Sequence, residues 1–472
     1  MAATFAAIER SATADHIVVH FHGGLVPGQS AEESATTLLP VYEAGGAYPI
    51  FFIWHSDLWG PIKRNLDAFG QEKAFRRLVK RILQLVSGKL METSDSRGGT
   101  LALESLRNMP DGLEALAEWA KNNDARGPVS ELTDSQQEQV TRELKADKVL
   151  QKEAQRIAAS LGAMSDLERK RSSSTLADLP SAGTRYTGMS REVRDEILAE
   201  ANGDGSKQAR GIPGRRTLVK YGTRIAIAVV RRYAKHRDHG LYTTVIEEIL
   251  RTLYLDDAGS AVWGQMKKDT KDAFGNDATQ YGGTAFLEHL KTWWKPGRRV
   301  TLVGHSAGAV FIGHLLDAAD DVLPEACTFD VVLLAPACTF AFVAERLPRL
   351  LRRVRARRLF ALSDAIERGY FEIPVLYQGS LLYLISGLLE SPDIDVPLVG
   401  MQRYHSGAKP YTMPDIAPVM EFFGGRCSWS ECNDPIGART TAQKHGGLAN
   451  DGPTQESLRH FLMDPPLPAR TA

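Results

Sequence analysis

The sequence predicts an α/β protein: a mostly parallel central sheet flanked by helices, interrupted by a large α-helical insertion. Three observations carry this expectation. Short apolar runs, of the kind buried on both faces of a sheet, alternate with helix-length segments near both ends of the chain. The stretch between them changes character, being rich in charge and poor in β-branched runs, with apolar residues at helical spacing. And a chain of 472 residues is too long for one simple core. The division expected is an N-terminal core part over 1–56, a helical insertion over 57–283 and a C-terminal core part over 284–472.

Each element follows from local pattern. A strand is expected over 16–21, running into His22-Gly23-Gly24, and another over 48–54, running into His55. Between them residues 30–42 have helical period, with Ser30 as N-cap and Glu33 at capping-box spacing. The later part resumes the rhythm. A helix over 284–294 and a Pro296-Gly297 turn precede a strand over 299–303, and further strands fit 331–335 and 357–362. Residues 454–461 form a last helix. In the insertion, Phe75, Leu78, Val79, Ile82 and Val86 make one apolar stripe; Val140, Leu144, Ala154, Ile157 and Leu161 a looser one; Val245, Ile246, Ile249, Leu250 and Leu253 a third. Breaker-rich stretches at 94–99, 171–187 and 203–214 read as loops.

Bulk properties exclude several classes. Hydrophobic content of 43% and charged content of 24% are those of a soluble globular protein. A formal net charge of zero provides no global field toward nucleic acid. No apolar run approaches the roughly 20 residues of a membrane span. The first 15 residues carry Glu9 and Arg10 and lack the apolar core of an export signal, so the cytoplasm is expected. Of four cysteines, Cys338 reads as a core residue; Cys427 and Cys432 would pair only in an exported protein. No second Cys/His pair completes a metal site with them.

Residues 300–308, Val-Thr-Leu-Val-Gly-His-Ser-Ala-Gly, hold Ser306 at the centre of a G-x-S-x-G pattern between a strand and a small-residue helix. That is the context of a nucleophile elbow, with Gly304 and Gly308 clearing the close strand–helix contact. A serine hydroxyl needs a base, a group that orients the base, and oxyanion donors. The acid and then the base should follow the serine in the chain. His445, in His445-Gly446-Gly447 before the last helix, fits the base best, with His405 competing. Asp364, ending the strand over 357–362, fits the acid; it also fits a helix N-cap, and Asp393 and Asp395 are alternatives. Ala307 supplies one oxyanion amide and the turn after His22 the other, from Gly24 or Leu25. His22 itself reads as a hydrogen-bonder of that loop.

Taken together, His22-Gly23-Gly24, Gly304-His305-Ser306-Ala307-Gly308, Asp364 and His445-Gly446-Gly447 resemble the α/β-hydrolase family, in its lipase/esterase-like branch. The resemblance covers about 15–56 and 284–465. It implies an eight-stranded, mostly parallel sheet, no cofactor, and hydrolysis of esters, thioesters or amides through an acyl-enzyme. Two departures stand out: the insertion exceeds a usual family lid, and Leu25 stands where a third glycine would. A carboxylic ester is the expected bond, with amide, peptide and thioester alternatives, and a non-catalytic interaction protein built on the insertion is the competing class. A helical cap placed before the Ser306 strand would cover the site and favour a small, lipid-like acyl substrate, with Trp54, Trp59 and Trp263 lining its pocket. Basic helices over 71–88 and 217–235 would pack on the core or, in the alternative, touch an anionic membrane surface weakly.

Overall fold

A computed structural model describes residues 1–24, 28–54, 63, 66–67, 69–92, 97–124, 129–152, 154–159, 189–202, 214–254, 258–390 and 392–464. Its strands are β1 (His16–Phe21), β2 (Tyr48–Phe52), β3 (Arg299–His305), β4 (Phe329–Leu334), β5 (Val354–Ala361), β6 (Phe371–Ile373), β7 (Tyr377–Gln378) and β8 (Cys427–Trp429). Six of them form one sheet in the order β2-β1-β3-β4-β5-β8, every neighbouring pair parallel. β6 and β7 make a separate antiparallel hairpin. The described residues thus give the main sheet six strands, where the resemblance implied eight. All residues of β1 and β4 are buried, and both are mainly apolar, interrupted by His16 and His20 in β1 and by Asp330 in β4. One buried charge, Asp330 in β4, is met by Arg299 and Arg355 from the flanking strands.

The chain forms two compact units, residues 1–61, 260–370 and 379–472 in one and residues 62–259 and 371–378 in the other. The first unit holds the main sheet and its flanking helices. Its boundaries differ from those expected at 56/57 and 283/284. Residues 260–283 belong with the sheet because the helix Ala258–Asp272 is fastened there: Trp263 Nε1 and Lys267 Nζ both donate to Glu390.

The second unit is helical. Its helix Leu241–Ile249 is buried on all sides and carries a charged core. Glu247, fully buried, accepts from His239 Nδ1 (2.8 Å) and the Tyr377 hydroxyl (2.6 Å) and faces Arg232 at 2.6 Å. Arg232 also meets Glu248 at 3.0 Å. The β6–β7 hairpin enters this unit through Tyr377 and two further bonds, Tyr242 hydroxyl to Val375 carbonyl and Thr243 hydroxyl to Gln378 carbonyl. Nothing in the sequence marked those eight residues as part of it.

Local differences have local causes. The helix expected from Ser30 begins at Gly28 (Gly28–Ala44), so Ser30 lies inside it. The helix Arg97–Asn108 runs through Gly98-Gly99, expected as breakers. The stripe over 140–161 splits at Asp147, which ends the helix Asp134–Ala146 and whose Oδ1 caps the next by accepting from Val149 and Leu150. Leu161, the loop over 171–187 and residues 203–213 lie outside the described residues. The basic faces of Lys73–Glu92 and Arg215–Ala234 are largely matched by acids: Arg77 and Lys80 by Asp111, Arg81 by Asp147, Lys220 by Glu196, Arg231 and Lys235 by Glu131. Among the described residues no helix is long and apolar enough to cross a membrane.

The charged core of the second unit predicts a specific stability defect. Arg232→Met removes the cation facing Glu247 and Glu248 while preserving bulk. Denaturant unfolding should show a loss of about 3–5 kcal/mol, the usual cost of breaking a buried ion pair by removing one partner; a loss under about 1 kcal/mol would show the cluster is not held by Arg232.

Candidate active site

Because every pair in the main sheet is parallel, the carboxyl ends of β1, β3, β5 and β8 share one edge. From β1 the chain proceeds to β2 on one side, and from β3 to β4 on the other. The crevice between the ends of β1 and β3 is therefore a topological switch point, where α/β sheets bind ligands. Ser306 sits there.

Ser306 adopts φ +53°, a conformation that costs a side-chain-bearing residue energy and is retained only where the surroundings enforce it. The enforcing bonds are on both sides of the residue. Its N–H donates to the Leu334 carbonyl (2.9 Å), and its carbonyl accepts from Ala309 (3.1 Å) and Ala337 (3.0 Å). The helix Gly308–Val322 starts so close to the sheet that a methyl at Gly308 would sit 2.2 Å from the Phe21 carbonyl oxygen. A methyl at Gly304 would lie 2.9 Å from the Gly308 backbone. Glycine is needed at both places for close approach.

Gly24 comes to the same point from β1. A methyl on it would lie 2.9 Å from Ala307 Cβ and collide with Met266 Sδ. The two expected oxyanion residues, Ala307 and Gly24, are thus neighbours; Leu25 lies outside the described residues. The Gly24 turn is fixed by His22, whose Nε2 accepts from the Trp54 N–H (3.0 Å), leaving Nδ1 to donate to the Gly23 carbonyl (2.6 Å). His22 is a loop hydrogen-bonder, with no nitrogen left for proton transfer.

His445 opens a 3-10 turn, His445–Asn450, after β8. Its carbonyl accepts from Nε2 of His305, the residue before the serine, at 3.0 Å, and the two rings lie 5.1 Å apart. The ring is buried, and neither nitrogen has a hydrogen-bond partner among the described residues. Burial, reinforced by His305, holds its pKa well below the ordinary histidine range. Burial likewise lowers His305 to about 4. Both imidazoles are neutral at pH 7, the state a general base requires. His405 is differently employed: its Nε2 donates to the Val399 carbonyl (2.8 Å), and its ring packs between Phe340 and Trp429.

Asp364 follows β5 as the first residue of the helix Asp364–Gly369, with Ser363 in the cap position. Its Oδ1 accepts from the Tyr383 hydroxyl (2.6 Å) and its N–H donates to Gln402 Oε1 (2.9 Å). No hydrogen bond joins it to His445, nor His445 to Ser306, among the described residues. Asp395 is committed elsewhere, accepting from Tyr404 (2.6 Å) and Tyr411 (3.0 Å); Asp393 lies in the same bend. The structure adds Glu367, one turn beyond Asp364 and fully buried, which accepts from Ser380 Oγ (3.2 Å). Burial first, and then Asp364, push its pKa well above the carboxylate range, so it is a neutral acid. The i, i+3 spacing of Asp364 and Glu367 was the one available sequence signal.

Other expectations need revision. Trp263 is buried within the first unit and bonded to Glu390, and Trp54 stacks on Phe311 (4.8 Å, 9°), so neither is free to line a pocket in the insertion; Trp59 lies outside the described residues. Gly446 and Gly447 adopt no left-handed φ, and a methyl at Gly446 would meet open space, so the turn does not require glycine there. All four cysteines are free thiols. Among the described residues, no group of three or more His, Cys, Asp or Glu side chains is placed to hold a metal ion.

No protein-family model, curated protein or solved structure matches the chain.

That geometry separates the glycines. Gly308→Ala should cost about 1–3 kcal/mol in denaturant unfolding, because the helix must move off Phe21. Gly446→Ala should stay within about 0.5 kcal/mol of wild type. Equal effects would refute the close-approach account.

Proposed function

We propose that the chain is a serine hydrolase of the α/β-hydrolase type, cleaving carboxylic esters through an acyl-enzyme formed on Ser306. The observation that carries this is the strained Ser306 at the switch point, with the backbone of Gly24 beside Ala307. Strain of this kind is retained at functional sites where a sharp turn presents one side chain; here Ser306 is itself buried at 2% exposure. The parallel sheet supports the rest, since Asp364 and His445 follow β5 and β8 at the same edge, in the order nucleophile, acid, base.

In the proposed mechanism Ser306 Oγ attacks the acyl carbonyl as His445 takes its proton. The Ala307 N–H and a donor from the Gly24 turn hold the oxyanion, each worth about 3–4 kcal/mol in hydrolases of this kind. His445 returns the proton to the leaving alcohol. A water activated by the same imidazole then releases the acid. Asp364 orients the base once the hydrogen bonds of the site tighten around substrate, as commonly occurs on forming the Michaelis complex. The bond proposed is an ester with an apolar acyl group; the resemblance admits an amide, peptide or thioester equally. The four free cysteines support a reducing compartment, the cytoplasm.

One observation favours a second reading, an interaction protein without catalysis: Asp364 is bonded to Tyr383 and not to the base. A fluorophosphonate probe separates the two. Wild-type protein should label covalently and Ser306→Ala should not; an unlabelled wild type, or equal labelling of both, ends the hydrolase reading. Asp364→Asn should slow labelling by about 10²–10⁴-fold if that carboxylate orients His445. Medium-chain acyl esters should be cleaved along with acetyl esters; cleavage of acetyl esters alone would exclude the lipid-like acyl group.

The pH dependence follows from the sign of the His445 shift. Neutral imidazole is the active form, and its lowered pKa keeps it neutral as pH falls through the ordinary histidine value. Labelling at about pH 5.5 should remain near its pH 7.5 rate, whereas a base titrating at about 6.5 would leave roughly a tenth. A tenfold drop by that pH would contradict the buried, neutral base.

A further inference from the structure

We propose that His305, the residue immediately before the nucleophile, is a positioning residue: by donating from Nε2 to the carbonyl of His445 it fixes the base-bearing loop to the nucleophile strand. This rests on the serine-hydrolase reading above and assigns a role to a residue that the G-x-S-x-G pattern leaves unspecified.

Three observations place His305 in that role. First, it is rigidly held. It is the last residue of β3, in register with Leu334 of β4, and the strained turn of Ser306 begins at its carbonyl end. Second, the acceptor is a backbone carbonyl, so the nitrogen 3.0 Å away must carry the proton. His305 is therefore the donor, as the Nε2–H tautomer. Third, the loop has no other such tie. Among the described residues, the remaining side-chain hydrogen bonds of residues 439–451 stay within the connection from β8 or reach the helix Gly452–Met463. Arg439 meets Ser457 and Glu456, Thr440 meets Thr454, and Thr441 meets Asp451. Those bonds shape the loop against its own helix. The bond from His305 joins the residue proposed as base directly to the strand that leads into Ser306.

The consequence is geometric. Proton transfer needs the base within hydrogen-bond reach of the hydroxyl, and displacement by about 1 Å can cost two orders of magnitude in rate. A neutral donor suits this task, because a charged imidazolium at His305 would oppose the positive charge that His445 acquires in the reaction.

The test compares His305→Gln, His305→Asn and His305→Leu in the full chain. The glutamine amide nitrogen occupies nearly the place of Nε2, while the asparagine amide corresponds to Nδ1 and falls short. The readout is the rate of covalent labelling by a fluorophosphonate, with a thermal melt of each variant. The glutamine variant should label within about threefold of wild type, and the asparagine variant at least about tenfold more slowly. The leucine variant should behave as asparagine does. A role in packing alone would not distinguish glutamine from asparagine, and that comparison stands even if the leucine variant fails to fold. Equal rates for glutamine and asparagine variants, with wild type labelled at Ser306, would overturn the positioning role and leave the hydrolase reading intact. A wild type that does not label at Ser306 would overturn both.

Discussion

Everything at the candidate site depends on how closely the helix Gly308–Val322 approaches the end of β1. The Phe21 carbonyl leaves no room for a methyl at Gly308. With the helix seated so deeply, the chain between β3 and the helix has only two residues, Ser306 and Ala307, in which to reverse, and Ser306 takes the strained φ that results. The hydrogen bonds to Leu334, Ala309 and Ala337 then fix that residue from three directions. A strain of about 1–3 kcal/mol is tolerable in one residue when so many bonds oppose its relaxation. The same approach brings the backbone of Gly24 beside Ala307, so one packing contact produces both the sharp turn at the buried Ser306 and the adjacency of the two oxyanion candidates.

The parallel sheet extends this constraint across the first unit. In a parallel sheet every strand delivers its following loop to the same edge. β1 delivers Gly24, β3 Ser306 and β5 Asp364, and the connection after β8 brings His445 back to His305. The chain order of these residues is thus converted to proximity by topology, before any side chain makes a contact. The final placement is a matter of side chains, and there the histidines dominate: His22 locks the Gly24 turn, and His305 meets the base loop.

The sheet was legible because burial on both faces leaves a mainly apolar run, as in residues 17–19 of β1 and residues 331–334 of β4. Gly304 and Gly308 were legible because close approach admits no other residue. The glycines at 446 and 447 carried the same letter with no such demand, so composition alone overread them. The β6–β7 hairpin was invisible, because its attachment to Glu247 and Thr243 is a long-range side-chain matter that leaves no local periodicity. The boundary near 260 was missed for the same reason: Trp263 and Lys267 join the sheet unit through Glu390, some 125 positions away. Ser306, Ala307, Gly24 and His445 were named from pattern and are brought to one edge. The partner of Asp364, Tyr383, could not be read from spacing at all.

The separation of Asp364 from His445 has an energetic meaning. Burial that lowers the pKa of an imidazole also raises the cost of the imidazolium that proton transfer from Ser306 creates. Among the described residues no counter-charge acts on His445: the one titratable group that does act on it is His305, itself neutral at pH 7. A buried cation without a counter-charge costs several kcal/mol, comparable to what the oxyanion donors contribute. An acyl-transfer reaction through His445 therefore requires a carboxylate to approach the ring as the proton moves, and Asp364, at the same sheet edge and ahead of His445 in the chain, is the candidate so placed. On the proposed hydrolase reading its bond to Tyr383 would enter the chemistry: the hydroxyl would compete with the imidazole for the carboxylate, and the developing charge on His445 would have to win that competition.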